Sequence, residues 1–473
     1  MKVVFWLLTA SALLAQVLSK WAFEQADHRL NYRPDDRGNS IMDYSYAGYR
    51  GGGVKLPSVS TVQRLTPAAG DSTARIQSAV DSAVGAVVLA AGEYEIAGTL
   101  RITRSGVVLR GEKGARIRLS GKPHRFLEIR GAGEWHEEGS RAPVLDAYVP
   151  AGAVSFRVRD ASAFHPGDRV LVLRPVTAEW IHFMRMDTLV GESQPQCWIR
   201  AGSVIRTDRV VDSVHGDSIT LDVPLSEALD GRFTSASLVH YNFPGRIAEV
   251  GVEGLLITAP SEAVPAAGRQ SNTLLMDAVE DGWVRDLEIQ GTQNGIAIGP
   301  GAKRLTLTNV RIADSVGDSA AGFALQGTQI LVDRGRVTGA GEAPVVTRSQ
   351  AMGPLVVLNL IADHGGVAAD QPWGTGVLVD GGRFPGATER SPGVVFSSMG
   401  WSVAWNVTSP FLLVPQLPGA LNWCIGCIGT PVTSRGIPNG ILDSPGTKVE
   451  PASLYLHQLH DRLGPDALRD IGY

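Results

Sequence analysis

The chain has 473 residues, with 43 Lys or Arg against 47 Asp or Glu, so its formal net charge is −4. This near balance excludes an electrostatic nucleic-acid binder, which needs a clear excess of basic residues. Glycine, at 55 residues, exceeds its usual share of about 7%. Abundant glycine with a moderate apolar content predicts short strands joined by many tight turns.

The first segment of the chain has the pattern of a signal peptide. Met1-Lys2 supplies a positive start, and residues 3–18 are almost wholly apolar. A small residue such as Ser19 is typical of a cleavage site. The alternative is an N-terminal membrane anchor, but the run is short for a span and no second such run follows. We predict a signal peptide over residues 1–19 and a secreted or periplasmic protein with no stable membrane insertion after its removal.

Residues 20–61 are predicted to form an N-terminal arm. Their sequence is polar and glycine-rich, and residues 43–53 hold three tyrosines among glycines. Such a cluster favours a flat surface on which a ligand can stack. An arm packed along the rest of the protein is an equally good interpretation.

A helix and a ladder of strands are predicted over residues 62–150. Asp71-Ser-Thr73 offers N-cap candidates, and Ile76, Val80 and Val84 recur on one helical face. A helix ahead of a ladder of strands would cap the open end of a solenoid. The β-rich runs that follow it end at glycine or charged turns, and they cover residues 86–90, 94–96, 100–102, 106–109 and 115–119.

Residues 151–235 are predicted to be an inserted β-rich subdomain. The runs at 155–158, 169–173 and 218–221 favour longer antiparallel strands. Stacking rings beside hydrogen-bond donors are what carbohydrate binding requires. Alternatively, the aromatic residues anchor the insertion on the rest of the protein. The substrate-binding candidates in this segment are Trp180, His182, Arg185 and Trp198.

A repeat of about 22 residues begins near residue 272. Two or three strand-length runs per period fit one coil of a β-helix. A leucine-rich repeat has a similar period, but the LxxLxLxxN signature is missing from the sequence. One series of runs starts at Thr273, Gly295, Gly322, Pro344, Gly376 and Gly393, and a second series starts at Trp283, Arg304, Ile330 and Leu355. We predict β-helix coils over residues 236–430 and a C-terminal tail with a short helix over residues 431–473.

The chain has three cysteines, Cys197, Cys424 and Cys427. A CxxC pair in a cytosolic protein indicates redox chemistry or half of a zinc site. No second CxxC or His pair lies at metal-binding spacing in this sequence. We predict a structural role for Cys424 and Cys427, either as a small-loop disulfide or as free buried thiols.

Several segments resemble the pectate-lyase-like superfamily. Residues 70–81, Gly-Asp-Ser-Thr-Ala-Arg-Ile-Gln-Ser-Ala-Val-Asp, and 87–94, Val-Val-Leu-Ala-Ala-Gly-Glu-Tyr, are similar to the segment that opens its β-helix. Residues 43–57, Trp-Ser-Val-Ala-Trp-Asn at 401–406 and Asn-Trp-Cys-Ile-Gly-Cys at 422–427 look like parts of a largely uncharacterised exported bacterial subgroup, as do residues 453–459.

The resemblance implies an all-β fold: a right-handed parallel β-helix, or solenoid, with an N-terminal capping helix and an inserted antiparallel β subdomain. The superfamily contains uronate lyases, glycoside hydrolases, epimerases and phage-type binding proteins, and the fold does not choose among them. The sequence has neither an Asp-Asp pair flanked by glycine, as in polygalacturonases, nor the Arg-x-Pro-x-x-Arg pattern of the pectate lyases. No catalytic residue can therefore be transferred from a known family.

A β-helix offers chemistry in the groove along one sheet, between the loops that lead into that sheet. Residues 314–318 and 363–373 are two polar loops of this kind, and Arg348 ends the strand-like run between them. Stacked coils lie about 4.8 Å apart, so residues from neighbouring coils could converge on one sugar ring. Trp373 is a further substrate-binding candidate because it closes the second loop.

Lyase chemistry is the first interpretation of these residues. Arg348 or His364 would remove the proton beside a uronate carboxylate, while a cation neutralises that carboxylate. Calcium is the expected cofactor because it prefers several carboxylate oxygens. Its candidate ligands are Asp314, Asp318 and Asp370.

Glycoside hydrolysis is the runner-up, because one carboxylic acid and one carboxylate suffice for it. Asp363 with Asp370, or Asp314 with Asp318, would be the pair. Aspartate is also a favoured turn residue, so these four carboxylates could be purely structural, and Arg348 could simply pair with a carboxylate of a neighbouring coil. A third interpretation is a non-catalytic glycan-binding or surface protein. A polysaccharide is the expected partner in all three.

Overall fold

The computed structural model of the protein describes residues 17–188, 190–191, 194–195, 198–260, 272–315, 321–339, 343–369, 373–433 and 437–473. Three stacks of parallel strands dominate these residues, and each coil of the chain adds one strand to each stack in turn. The fold is the predicted right-handed parallel β-helix, with a capping helix and an inserted antiparallel sheet.

The first sheet is the longest and the other two follow it in each coil. Its strands are Thr61–Leu65, Gly85–Leu89, Val107–Gly111, Ile247–Glu253, Val279–Arg285, Lys303–Thr308, Thr328–Asp333, Met352–Leu358, Gly374–Asp380, Met399–Gly400, Ser402–Trp405, Asn422–Ile425 and Ile441–Asp443. The second sheet contains Gly92–Ile96, Ala115–Leu119, Leu256–Thr258, Glu288–Gln290, Arg311–Ser315, Arg336–Gly339 and Ile361–Ala362. The third sheet contains Leu100–Ile102, Arg125–Arg130, Asn272–Asp277, Asn294–Ile298, Phe323–Leu325, Val345–Thr347, Val367–Ala369 and Val394–Val395. Thr408–Leu412 and Ile428–Pro431 pair as a separate parallel ladder.

The interior of the β-helix is a stack of aligned apolar residues. Because side chains alternate across a strand, every second residue faces inward, and parallel register places equivalent residues above one another. One such column of the first sheet is buried throughout, and it contains Val87, Leu109, Val252, Val284, Leu307, Val332, Val357 and Val379.

Short turns between the first and second sheets set the cross-section of each coil. Asn309, Asn359 and Asn406 adopt φ values of 52°, 52° and 51° at these turns. Asparagine tolerates this left-handed conformation because its short polar side chain bonds locally. The asparagines therefore mark the corners at which the chain leaves the first sheet.

The repeat of strand-length runs was predicted correctly, but one run was assigned to the wrong series. The run at Gly376 was placed in one series with Gly295 and Pro344, whereas Gly374–Asp380 belongs to the first sheet. The third-sheet strand of that coil is Val367–Ala369. A Val-Ala-Ala run carries a weaker apolar signal than the buried first-sheet strand that follows it.

The capping helix α1 spans Thr73–Ser82. Asp71 Oδ1 accepts the Thr73 amide at 2.9 Å, and Ile76 and Val80 are buried. Val84, predicted on the same helical face, lies beyond the end of the helix and is 73% exposed. The helix stops early because the next strand begins at Gly85.

The inserted sheet extends on both sides of the predicted range 151–235. Its antiparallel strands, in spatial order, are His136–Pro143, Ser237–Asn242, Arg169–Pro175, Val204–His215, Ser218–Leu221 and Ser155–Arg157. The strands His136–Pro143 and Ser237–Asn242, which are the first and the last of this sheet in the sequence, pair with each other and so close the subdomain at its base. Its smaller elements are the helix α2, Ala178–Phe183, the short helix Ala161–Ala163, and the pairs Tyr148–Val149 with Leu229–Asp230 and Val190–Gly191 with Gln194–Pro195.

The arm and the C-terminal tail cover the outer face of the first sheet. The arm holds the strands Ala22–Glu24 and Leu30–Tyr32 and the turn Tyr49–Gly51, while the tail holds α3, Leu454–Leu463, and α4, Pro465–Asp470. Tyr44 is fully buried and donates to the Trp401 carbonyl at 3.2 Å. Tyr49 donates to Glu249 Oε2 at 2.6 Å. Tyr44 and Tyr49 therefore pack along the scaffold, as in the second interpretation of the arm.

The predicted signal peptide lies mostly outside the described residues, which begin at residue 17. Ser19, at its predicted end, is buried and donates to Asp443 Oδ2 at 2.8 Å. Within the described chain, no helix is long and apolar enough to cross a membrane. Cys424 and Cys427 are buried free thiols rather than a disulfide, and Cys197 lies outside the described residues.

Asp380 links one of the last strands of the first sheet to the tail. Its burial predicts that the stability of the protein depends on pH. Its Oδ2 accepts from Ser453 Oγ at 2.7 Å and from the Tyr455 amide at 2.8 Å, at the start of α3. Oδ1 has no partner among the described residues. Burial raises the pKa of Asp380 to about 7, so its contribution to stability is full below the unfolded pKa of about 3.9 and is lost as the pH rises through 7.

We therefore expect Asp380→Asn to be more stable than the wild type at pH 8 by about 1–3 kcal/mol, with the advantage disappearing by pH 5. Urea unfolding at the two pH values measures this difference. Asp466→Asn is the matched control, because Asp466 is 79% exposed. A gain that is equal at both pH values would contradict the expected ionisation of Asp380.

Candidate functional site

The outer face of the third sheet, called the groove from here on, has an apolar floor, in which Ala324 and Val346 are 8% and 5% exposed. Along each strand of the third sheet, side chains point alternately inward and outward. Leu274 and Ile296 point into the core, so the residues next to them in sequence face outward. These floor residues pair in register from coil to coil and have small or medium side chains: Leu275, Ala297, Ala324, Val346, Ala368 and Val395.

Polar residues follow the floor where the third-sheet strands end. Gln326 follows Phe323–Leu325, and its Nε2 donates to the Ser349 carbonyl at 2.7 Å. Arg348 follows Val345–Thr347, and its amide donates to the Leu325 carbonyl at 2.8 Å. Because the strands are parallel and in register, both side chains lie along one edge of the groove.

The inserted subdomain forms a wall along that same edge. It leaves the β-helix after the third-sheet strand Arg125–Arg130 and returns at the first-sheet strand Ile247–Glu253. A cavity of about 270 Å³ lies where this wall meets the coils. The insertion contributes Trp135 and the exposed Arg206, and the coils contribute Gln326 and Gln350 to its lining.

A buried charge cluster fastens the wall to the coils beneath this cavity. Asp208 of the insertion accepts from Lys303 Nζ of the first sheet at 2.7 Å, from the Tyr241 hydroxyl at 2.7 Å and from Arg246 Nη1 at 3.0 Å. Burial alone would raise the pKa of Asp208, but the charges of Lys303 and Arg246 bring it well below its ordinary value. Asp208 is therefore an ionised anchor, and it is not available as a catalytic acid.

The structure separates two of the predicted catalytic residues from Arg348. Thr347 pairs with Ala369, so the position beside Arg348 is the residue after Ala369 in the neighbouring strand. His364 precedes that position by about six residues, which is up to about 20 Å along an extended strand. Asp363 and His364 therefore lie at the opposite edge of the groove. Asp363 Oδ1 lies 4.0 Å from Arg336 Nη2, and His364 is exposed.

The predicted metal site falls largely outside the described residues. Asp318 and Asp370 are not among them, and Asp314 is described only as part of the strand Arg311–Ser315. Within the described ranges, no group of three or more His, Cys, Asp or Glu side chains could hold a metal ion. A calcium site at these aspartates stays a prediction.

The tryptophans predicted to bind substrate form an interior cluster. Trp373, Trp180 and Trp198 are 2%, 8% and 5% exposed. The Trp373 ring lies 5.1 Å from the Trp180 ring and 6.4 Å from the Trp198 ring. The guanidinium of Arg174 covers Trp180 at 4.2 Å. Their burial between the insertion and the coils matches the anchoring alternative.

His182 and Arg185 differ from these tryptophans because they are exposed. His182 Nδ1 lies 2.8 Å from Asp187 Oδ2. Arg185 lines a separate cavity of about 300 Å³ with Gln416 and neighbouring residues of the last coils. Neither residue lines the cavity beside Arg348.

Sequence reasoning missed four residues of the cavity at the groove edge: Trp135, Arg206, Gln326 and Gln350. No motif surrounds Trp135 or Arg206, which reach the site only because the insertion folds back on the coils. The position of Gln326 could have been found, because it follows a strand of the repeat just as Arg348 does.

No family model matches the sequence, and no curated protein matches it. Solved β-helix structures are similar to the chain at low identity. Polygalacturonase from Erwinia carotovora ssp. carotovora is 14% identical, with 84% of this chain and 95% of that one covered and a TM-score of 0.40. The tailspike of E. coli bacteriophage HK620, solved with a pentasaccharide, is 11% identical, with coverages of 90% and 69% and a TM-score of 0.39.

The Gp54 tailspike of Acinetobacter baumannii bacteriophage AP22, solved with a capsular saccharide, is 12% identical with a TM-score of 0.32. The similarity covers 79% of this chain and 63% of the tailspike, which is less than two thirds of its length. At these identities the similarity concerns the scaffold alone. The function must be argued from the groove and its edge.

Proposed function

We propose that the protein is a secreted or periplasmic protein that binds an acidic polysaccharide in the groove of the third sheet and cleaves it as a lyase. One observation carries the proposal: Arg348 and Gln326 follow neighbouring strands of an apolar floor, and Gln326 lines a cavity together with Trp135 and Arg206. Arginine pairs with carboxylates through two parallel hydrogen bonds, and aromatic rings pack on the C–H faces of sugars.

The floor suits a chain of sugar rings because its side chains are short and apolar. The ring faces can approach Ala297, Ala368 and Val395, which are partly exposed, while ring substituents reach the polar edge. An arginine at that edge neutralises the uronate carboxylate, and this makes the proton on the adjacent carbon more acidic. Elimination then moves that proton to a base, forms a carbon–carbon double bond and releases the neighbouring glycosidic oxygen, which takes up a proton.

Replacing Arg348 by alanine is expected to lower kcat/KM by about 100-fold or more, because the developing charge of the transition state loses its counterion. The assay follows the ultraviolet absorbance of unsaturated uronate products from polygalacturonate, alginate and hyaluronan, with and without a calcium chelator. Arg348→Lys should retain part of the activity. Arg383→Ala is the matched control, because Arg383 is exposed at a bridge to the second-sheet strand Ile361–Ala362.

Equal rates for Arg348→Ala and the wild type would contradict the role of Arg348. New reducing ends without unsaturated products would instead favour glycoside hydrolysis. Loss of activity with the chelator would support the predicted calcium site, whose candidate ligands are Asp314, Asp318 and Asp370.

Glycan binding without cleavage is the second candidate function. It is favoured by the separation of Arg348 from His364 and Asp363, which lie at the opposite edge of the groove. This candidate predicts that the wild type binds an acidic polysaccharide and releases no product, and that Arg348→Ala weakens the binding.

A further inference from the structure

Another cavity lies away from the groove, on the outer face of the first sheet. Its volume is about 510 Å³, within the usual range of small-molecule sites. The glycine-rich end of the arm and the end of the C-terminal tail form its sides. Its floor consists of the ends of the strands Val279–Arg285, Lys303–Thr308 and Thr328–Asp333.

The arm reaches this position through glycines that no other residue could replace. Gly52 has φ +82°, and a Cβ there would lie 2.2 Å from the Ser45 carbonyl oxygen. A Cβ on Gly53 would lie 2.8 Å from a methyl group of Leu463 in α3. The following residues, 54–56, line the cavity.

The cavity offers positive groups with spare hydrogen-bonding capacity. Arg285 Nη2 donates to Glu253 Oε1 at 2.9 Å, but its Nε and Nη1 donate to no described residue. Lys55 is exposed and forms no ion pair within the described chain. The backbone amides of residues 53–56 also donate to nothing in the part of the chain that the structure describes. These donors line the cavity and suit an oxyanion.

The same cavity offers apolar surface and hydroxyl partners. Val54, Leu56 and Leu331 provide the apolar lining. Asp286 is exposed at the rim and can accept from a hydroxyl group. The Thr306 hydroxyl accepts the Tyr49 amide at 2.8 Å, and its own O–H can still donate. Carboxylates beside cations would repel a simple anion, but they fit a ligand that carries both a carboxylate and hydroxyl groups.

We propose that this cavity is a second saccharide site, which binds one or two sugar rings carrying a carboxylate. The carboxylate lies against Lys55 and Arg285, the hydroxyls reach Asp286 and Thr306, and one ring face packs on Val54 and Leu331. The choice of an acidic sugar rests on the proposed function, whereas the site itself rests on the cavity and its lining. Bound there, a short uronate product would bridge the arm and the coils.

The test is isothermal titration with disaccharides of galacturonate, mannuronate and glucuronate, with cellobiose as the neutral comparison. At least one uronate disaccharide should bind, and cellobiose at least about fivefold more weakly, because it lacks the charged group. Lys55→Ala should weaken the binding of the uronate disaccharide by about fivefold or more. Lys113→Ala is the control, because Lys113 is also an exposed lysine but lies outside the cavity.

Val54→Trp is a second variant, which places a bulky side chain in the lining of the cavity and should abolish disaccharide binding. Arg348→Ala should leave the disaccharide affinity unchanged, which separates this site from the groove. Binding of no uronate disaccharide, equal binding of cellobiose, or unaltered binding by Lys55→Ala and Val54→Trp would overturn the proposal. If a uronate disaccharide binds but no polymer is cleaved, the proposed saccharide site in the cavity stands and the proposed lyase activity is contradicted.

Discussion

Asp208→Ala is expected to lower the free energy of unfolding by about 3–5 kcal/mol. The reason is that removal of the carboxylate leaves Lys303 and Arg246 buried without their shared partner, at 1% and 3% side-chain exposure. Because Asp208 belongs to the insertion and Lys303 to the first sheet, the wall of the groove should loosen as well. Urea unfolding measures the loss.

The matched control is Glu137→Ala, which removes the carboxylate of a partly exposed pair with Arg141. Such pairs contribute about 0–1 kcal/mol. An effect of Asp208→Ala as small as that of the control would mean that the buried cluster does not anchor the insertion. The assignment of Asp208 as a structural residue would then be wrong.

Trp373→Ala is expected to lower the free energy of unfolding by about 3–5 kcal/mol, because it leaves a large cavity between Trp180 and Trp198. The measurement again is urea unfolding, combined with binding of the acidic polysaccharide. His182→Ala serves as the control from the same predicted group, since His182 is 73% exposed and should change stability by less than about 0.5 kcal/mol. Weaker polysaccharide binding by Trp373→Ala without a loss of stability would restore the predicted contact between Trp373 and substrate.

Much of the β-helix could be predicted from local patterns. The strands Leu100–Ile102 and Ala115–Leu119 were predicted with their observed bounds. The helix α1 was predicted from Ile76 and Val80, and only its end was misplaced. These predictions succeeded because alternation along a strand and the apolar face of a helix repeat within a few residues.

The candidate site could be predicted only in part. Arg348 could be found because it follows a strand of the repeat, and parallel register then places it at the groove edge. The tryptophans of the insertion could not be assigned, because an aromatic residue that anchors a subdomain and one that binds a sugar have the same local pattern. Burial distinguishes them, and burial depends on which surfaces meet.

The sequence by itself determined the coil, its period and its apolar interior, since each depends on residues close together in the chain. Only the tertiary structure decided where the insertion and the arm pack. Asp208 and Lys303 are 95 residues apart, and Tyr44 and Trp401 are 357 apart. No periodicity connects such pairs, because their contact results from the packing of whole segments. The groove wall and the arm cavity arise from that packing.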